Sequence, residues 1–121
     1  PLARKLKTLT LSCAGCGAWP SPWPNWCGGE RLETLRMFNF KFKAFEAPSQ
    51  GHCHGGLAHG LSNLREVYLI NNQIQTLPKE VFQNLTKLER LDLDNNEIQA
   101  LPKEIFNNLK SLKELDLDRN Q

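Results

Sequence analysis

The chain of 121 residues is expected to fold as an α/β solenoid of about five stacked coils. A parallel sheet would line the concave face, and short helical or irregular segments would return along the convex side. Three features of the sequence predict this. A block of aliphatic positions recurs at fixed spacing, an Asn recurs in the same phase behind it, and a Leu-Pro pair follows that Asn at constant distance.

In the first unit, Leu6, Leu9 and Leu11 take the three leading positions, with Cys16 and Trp19-Pro20 where later units carry Ile and Leu-Pro. In the second, Leu32, Leu35 and Met37 lead, followed by Phe40 in the Asn phase, then Phe42 and Phe45. A rival register makes Phe38, Phe40 and Phe42 one face of a separate strand and turns Asn39, Lys41 and Lys43 outward. The third unit, Leu64, Val67, Leu69, Asn72, Ile74, Leu77, Pro78 and Phe82, returns 24 residues later as Leu88, Leu91, Leu93, Asn96, Ile98, Leu101, Pro102 and Phe106. A fifth unit opens at Leu112, Leu115, Leu117 and Asn120, and Leu61, Leu85 and Leu109 precede the last three copies. Residues 1–60 thus hold two irregular units with long insertions. Residues 61–121 hold two regular 24-residue repeats and the start of a third, and both ends of the array are expected to be uncapped. Outer strands carrying Leu6 and Leu117 without polar caps predict aggregation or marginal stability for this stretch alone.

Each LxxLxL stretch is a short strand whose apolar side chains alternate inward, and the Asn follows where the backbone must turn away. One unit cannot bury its own leucines. Stacking sets equivalent strands side by side, and Val81, Phe82 and Leu85 close the core from behind. Pro78 and Pro102 fall where a first helical turn tolerates proline. The amides of Asn72, Asn96 and Asn120 form an expected ladder that satisfies turn backbone groups within and between units. Losing Asn96 should then cost roughly 1–3 kcal/mol.

Composition narrows the function. A net charge of +2 divides into 7 basic and 3 acidic residues up to Gly60, then 8 and 10 beyond it, which is no basic stripe, so nucleic acid is not expected as a partner. The longest aliphatic or aromatic run, Val67 to Ile70, is far below the roughly 20 residues that cross a bilayer, and Pro1 to Lys7 shows no signal-peptide pattern. No nucleophile elbow or phosphate-cradling loop is visible, all three His lie between 52 and 59, and a Cys16/His52 pair lacks an orienting group, so neither catalysis nor a cofactor is expected.

The repeat, with Leu77-Pro78-Lys79-Glu80-Val81-Phe82 as its LPxxxF signature, resembles the extracellular 24-residue class of the leucine-rich repeat family. It is similar to the ectodomains of Toll-like receptors and to the variable lymphocyte receptors of jawless vertebrates, and its irregular 26- and 32-residue units resemble Toll-type insertions more. The resemblance implies a ligand-binding fragment of an extracellular receptor in innate immune signalling or adhesion. Such a receptor holds a protein or other macromolecule on its concave face, can dimerise, and carries its membrane anchor outside this stretch. A secreted recognition protein and a cytoplasmic repeat scaffold are the alternatives.

On the concave face the spacing sets Arg36 beside Tyr68 and Phe38 beside Ile70, with Arg90 adjoining, an aromatic and Arg mixture of the kind found at binding hot spots. Asp92 with Asp116, and Asp94 with Asp118, stack as like charges, inviting a basic partner or a cation, though without the loop of a calcium site. Solvation and screening by Arg90 and Arg119 is the alternative. Four cysteines, Cys13, Cys16, Cys27 and Cys53, allow three disulfide pairings; Cys27 with Cys53 joins the return segments of adjoining units, while Cys16 can be a buried thiol. A zinc site from Cys13, Cys16, Cys27, His52, Cys53, His54 and His59 stays open as an alternative, although the ligands span two insertions without a second tight pair. Asn84-Leu85-Thr86 is a glycosylation sequon on the convex side. Trp19 to Trp26, with three Trp and three Pro, reads as a stiff loop packed on the convex edge or meeting a partner.

Overall fold

The computed structural model describes residues 7–12, 31–39, 62–77, 82, 85–102 and 104–120. Five strands form one parallel sheet in chain order: β1 (Thr8–Ser12), β2 (Thr34–Phe38), β3 (Glu66–Tyr68), β4 (Arg90–Asp92) and β5 (Glu114–Asp116). Thr8 pairs with Thr34, Thr34 with Glu66, Glu66 with Arg90 and Arg90 with Glu114. The register therefore steps by the sequence repeat itself, and the long 26- and 32-residue steps keep the same strand phase as the regular ones.

Each junction is set by the backbone. The carbonyl of Lys7 accepts from the amides of Glu33 and Thr34, that of Glu33 from Arg65 and Glu66, that of Arg65 from Glu89 and Arg90, and that of Glu89 from Lys113 and Glu114, all at 2.7–3.0 Å. Strand alternation sends Leu35, Met37, Val67 and Leu91 fully inward, while Arg36, Phe38 and Tyr68 stay half-buried on the opposite face. Phe38 therefore belongs to β2 as an outward residue following Met37, and the rival register fails there; Phe40 and Phe42 lie outside the described residues.

Leu32, Leu35, Met37, Leu64, Leu69, Ile74, Phe82, Leu85, Leu88, Leu93, Ile98 and Ile105 belong to one continuous core running through the stack. Behind the sheet the chain returns through turns: the amides of Leu85, Leu88, Ile105 and Leu109 each bond a carbonyl three residues earlier, and no helix occurs among the described residues. Of the helical and irregular alternatives, the described convex segments take the irregular one. Coverage thins toward β5, the outer strand among the described residues, where Leu115 is 40% exposed.

Asn39, Asn71, Asn95 and Arg119 occupy one phase of the repeat, and all four have φ between 56° and 67°. This left-handed step lets the chain leave the strand, and Asn tolerates it better than other non-glycine residues because its short amide can bond locally. The Asn95 amide indeed donates to the Asn71 side chain one coil away.

Candidate functional site

One residue later the Asn ladder turns inward. Asn72 and Asn96 are 6% exposed. Asn72 Nδ2 donates to the carbonyl of Met37, 35 residues upstream, at 3.0 Å. Asn96 Nδ2 donates to the carbonyls of Leu69 and Leu93 at 2.9 Å and Asp94 at 3.2 Å, while its Oδ1 accepts from the amide of Ile74 at 3.2 Å. Asn120 repeats the pattern with Leu93, Leu117, Asp118 and Ile98, partly buried at the edge. Every rung ties two coils, so the sheet face beyond it is a stiff platform.

On that face the register brings Arg36 opposite Tyr68 and Tyr68 opposite Asp92. The Arg36 guanidinium lies 5.0 Å from the Tyr68 ring centroid and that of Arg90 lies 5.4 Å from it, so one ring is flanked by two cations. Tyr68 Oη donates to Glu66 Oε1 at 2.8 Å, which fixes the ring. Burial, and then that hydrogen bond to Glu66, push the Tyr68 phenol above its ordinary value against the opposing pull of Arg90 and Arg36, so it is neutral at physiological pH. Arg90 also reaches Glu114 at 2.9 Å and Asp92 at 3.9 Å. Phe38 and Ile70 are half-buried on the same face.

Asp92 and Asp116 are register partners, as the spacing expects. Asp92 is only 5% exposed, because its Oδ1 turns back to accept the amide of Asp94 at 3.1 Å under the cover of its neighbours. A carboxylate contact also runs diagonally: Asp94 hydrogen-bonds Asp116, while Asp94 Oδ1 accepts the amide of Asp118 at 2.9 Å. Carboxylate oxygens of Asp92, Asp94 and Asp116 lie within 4.8 Å of one another. Partial burial, the bond to Asp116 and the charge of Asp92 raise Asp94 to about 6, whereas the same bond holds Asp116 below the ordinary carboxylate range. The pair thus shares one proton in mildly acidic solution.

The consequence for stability has a definite sign. Folded Asp94 keeps a proton that the unfolded chain releases near its ordinary value, so Asp94 makes stability fall as pH rises through about 4 to 6. Asp116 acts oppositely, its contribution being lost as pH falls below the ordinary carboxylate value. Asp94→Asn is expected to flatten the decline between pH 4 and 6 and to raise the urea midpoint at pH 7. An unchanged slope across that interval would contradict the shared proton.

Cys13, Cys16, Cys27, Cys53, all three His, Trp19 to Trp26 and Asn84 lie outside the described residues. Among the described residues no helix is long and apolar enough to cross a membrane.

Leucine-rich repeat family models match residues 52–98 and 62–121, together more than half of the sequence. The chain belongs to the leucine-rich repeat family. No curated protein matches it significantly. A chain of the Toll–Spatzle complex, a hub of development and innate immunity in Drosophila, shares the fold with a TM-score of 0.66 and 24% identity over 82% of this chain and 12% of that one. A leucine-rich repeat protein of Leptospira interrogans shares 35% identity with a TM-score of 0.55, over 78% of this chain and 22% of that one. The chain therefore spans under a quarter of the length of either.

Within the leucine-rich repeat frame, the sequence placed Arg36, Tyr68, Phe38, Ile70, Arg90, Asp94, Asp116 and Asp118 outside the core, where the structure has them. It had no signal for the inward turn of Asp92 or for the reach of Arg90 across Tyr68. The reach of Arg90 depends on the neighbouring coil, whereas the turn of Asp92 is made on a backbone amide of its own coil.

Proposed function

We propose that this chain is a ligand-binding part of an extracellular, Toll-like leucine-rich repeat receptor serving innate immune signalling or adhesion, and that it holds a protein or other macromolecule on its concave sheet face. The observation that carries the reading is the Tyr68 ring flanked by Arg36 and Arg90 on a platform stiffened by the Asn ladder. Aromatic and Arg side chains supply much of the binding energy at protein interfaces, and holding them in place beforehand lowers the entropy lost on association. The likeness to a chain of the Toll–Spatzle complex supports a protein ligand and an extracellular setting. Receptor dimerisation and a membrane anchor elsewhere in the protein belong to the same reading.

The test is a screen of the full chain against arrayed secreted and cell-surface proteins, repeated with Phe38→Ala combined with Tyr68→Ala. A partner bound by the parent chain is expected to lose at least about tenfold in affinity, or about 1.4 kcal/mol, with the circular dichroism unchanged. Unchanged affinity would overturn the concave-face reading. Titration of the four cysteines without reductant checks the compartment: unreactive thiols favour the extracellular reading, and four reactive ones favour a cytoplasmic scaffold.

A further inference from the structure

The N-terminal ends of the strands carry a second surface, away from the Tyr68 face. The residues on either side of each leading Leu alternate outward: Arg31 and Glu33 around Leu32, Asn63 and Arg65 around Leu64, and Lys87 and Glu89 around Leu88. Lys7 holds the Glu33 position in the first coil, since its carbonyl accepts the Glu33 amide just as the Glu33 carbonyl accepts that of Arg65. Lys7, Arg31, Glu33, Asn63, Arg65 and Lys87 line a cavity of about 460 Å³. Among the described residues, four cations therefore face one carboxylate.

The backbone bonds between coils fix the spacing of these charges. At about 4.8 Å per strand, the cations extend over about 14 Å from the first coil to the fourth. Internal pairing takes up part of this, at Arg65, whose column alternates in sign through Glu33 and Glu89. Arg65 lies 3.7 Å from Glu33 and 3.9 Å from Glu89, both loose and exposed, and Lys87 Nζ donates to the uncharged Asn63 Oδ1 at 2.7 Å. Lys7 and Arg31 have no carboxylate partner among the described residues. Lys7, Arg31 and Lys87, which have no carboxylate partner among the described residues, are relieved by an anion that spans them.

The lining also selects among anions. Among the described residues it contains no aromatic side chain on which a nucleobase could stack, and no apolar residue to anchor the centre of a protein interface. A polymer that is polar along its whole length and carries oxyanions at regular intervals meets both conditions. We propose that this groove binds a linear sulfated glycan, its sulfate groups paired with Lys7, Arg31, Arg65 and Lys87. Sulfate esters stay ionised throughout the physiological pH range, and the Arg31 and Arg65 guanidiniums can meet their oxygens in bidentate fashion.

The test is a titration of the full chain in about 0.15 M salt, where unpaired surface charges still act over roughly 8 Å. The probes are a heparin-derived hexasaccharide, the same oligosaccharide after desulfation, and a single-stranded oligonucleotide of equal charge. The sulfated probe is expected to bind, the desulfated one to give no response, and the oligonucleotide to bind at least tenfold more weakly. Arg31→Glu combined with Lys87→Glu, both exposed positions, should lower the affinity at least tenfold with circular dichroism unchanged. Phe38→Ala combined with Tyr68→Ala should leave it unaltered, which separates this groove from the concave-face reading. The proposal is overturned by no binding of the sulfated probe, by indifference to the charge reversals, by equal binding of the oligonucleotide, or by loss of binding in the concave-face variant.

Discussion

Asn96→Ala is expected to lower the unfolding free energy by about 2–4 kcal/mol, measured as a drop in the urea midpoint at constant m-value. The magnitude follows from which groups the substitution orphans. The carbonyl of Leu93 keeps its bond from Asn120 Nδ2, and that of Asp94 keeps the amide of Asn71. The carbonyl of Leu69 and the amide of Ile74 lose the Asn96 side chain, deep between two coils. Each buried polar group left unpaired costs roughly 1–3 kcal/mol. Asn120→Ala should cost less, because that rung is partly exposed and the carbonyl of Leu93 would still hold Asn96. A loss below about 0.5 kcal/mol for Asn96→Ala, the scale of an ordinary surface substitution, would show that the ladder does not bear on stability.

The second large effect comes from the stack of leucines. Leu91 and Leu115 are register partners in the same repeat position, one at 0% exposure and the other at 40%. Leu91→Ala opens a cavity between two coils and is expected to cost about 2–5 kcal/mol. Leu115→Ala removes a side chain that already meets solvent, so about 1 kcal/mol or less is expected from the smaller apolar area involved. Since the chemistry of the two substitutions is the same, their difference measures how far the neighbouring coils, rather than the sequence motif, create the core. Equal costs would mean that the coils fold as independent units, against the single cluster that runs through them.

The core was legible because a solenoid converts spacing in the sequence directly into register in space. Leu35, Val67, Leu91 and Leu115 align across the sheet because 32, 24 and 24 residues separate them, and whatever the intervening segments do cannot change that phase. The inward Asn positions follow from the same arithmetic, since an amide is the side chain that can serve a carbonyl and an amide of two coils together. The left-handed step at Asn39, Asn71, Asn95 and Arg119 was not legible in this way. Three Asn in phase hint at it, but Arg119 carries no such signal, because tertiary packing of the turn overrides local preference there.

The candidate site was legible only as positions on a face. The sequence by itself determined the inward phase of Leu35, Met37, Val67, Leu69, Leu91 and Leu93, how many coils stack, and that Arg36, Tyr68 and Arg90 share one side of the sheet. Only the tertiary structure decided that both guanidiniums turn onto the Tyr68 ring, that Asp92 folds back onto the amide of Asp94, that Asp94 and Asp116 share a proton, and that Lys7, Arg31, Arg65 and Lys87 gather around one groove. Except for the local turn of Asp92, the physical reason is the same in each case. A repeat fixes where each Cα sits, whereas long polar side chains settle by competing for partners on neighbouring coils, and no spacing along the chain records that competition.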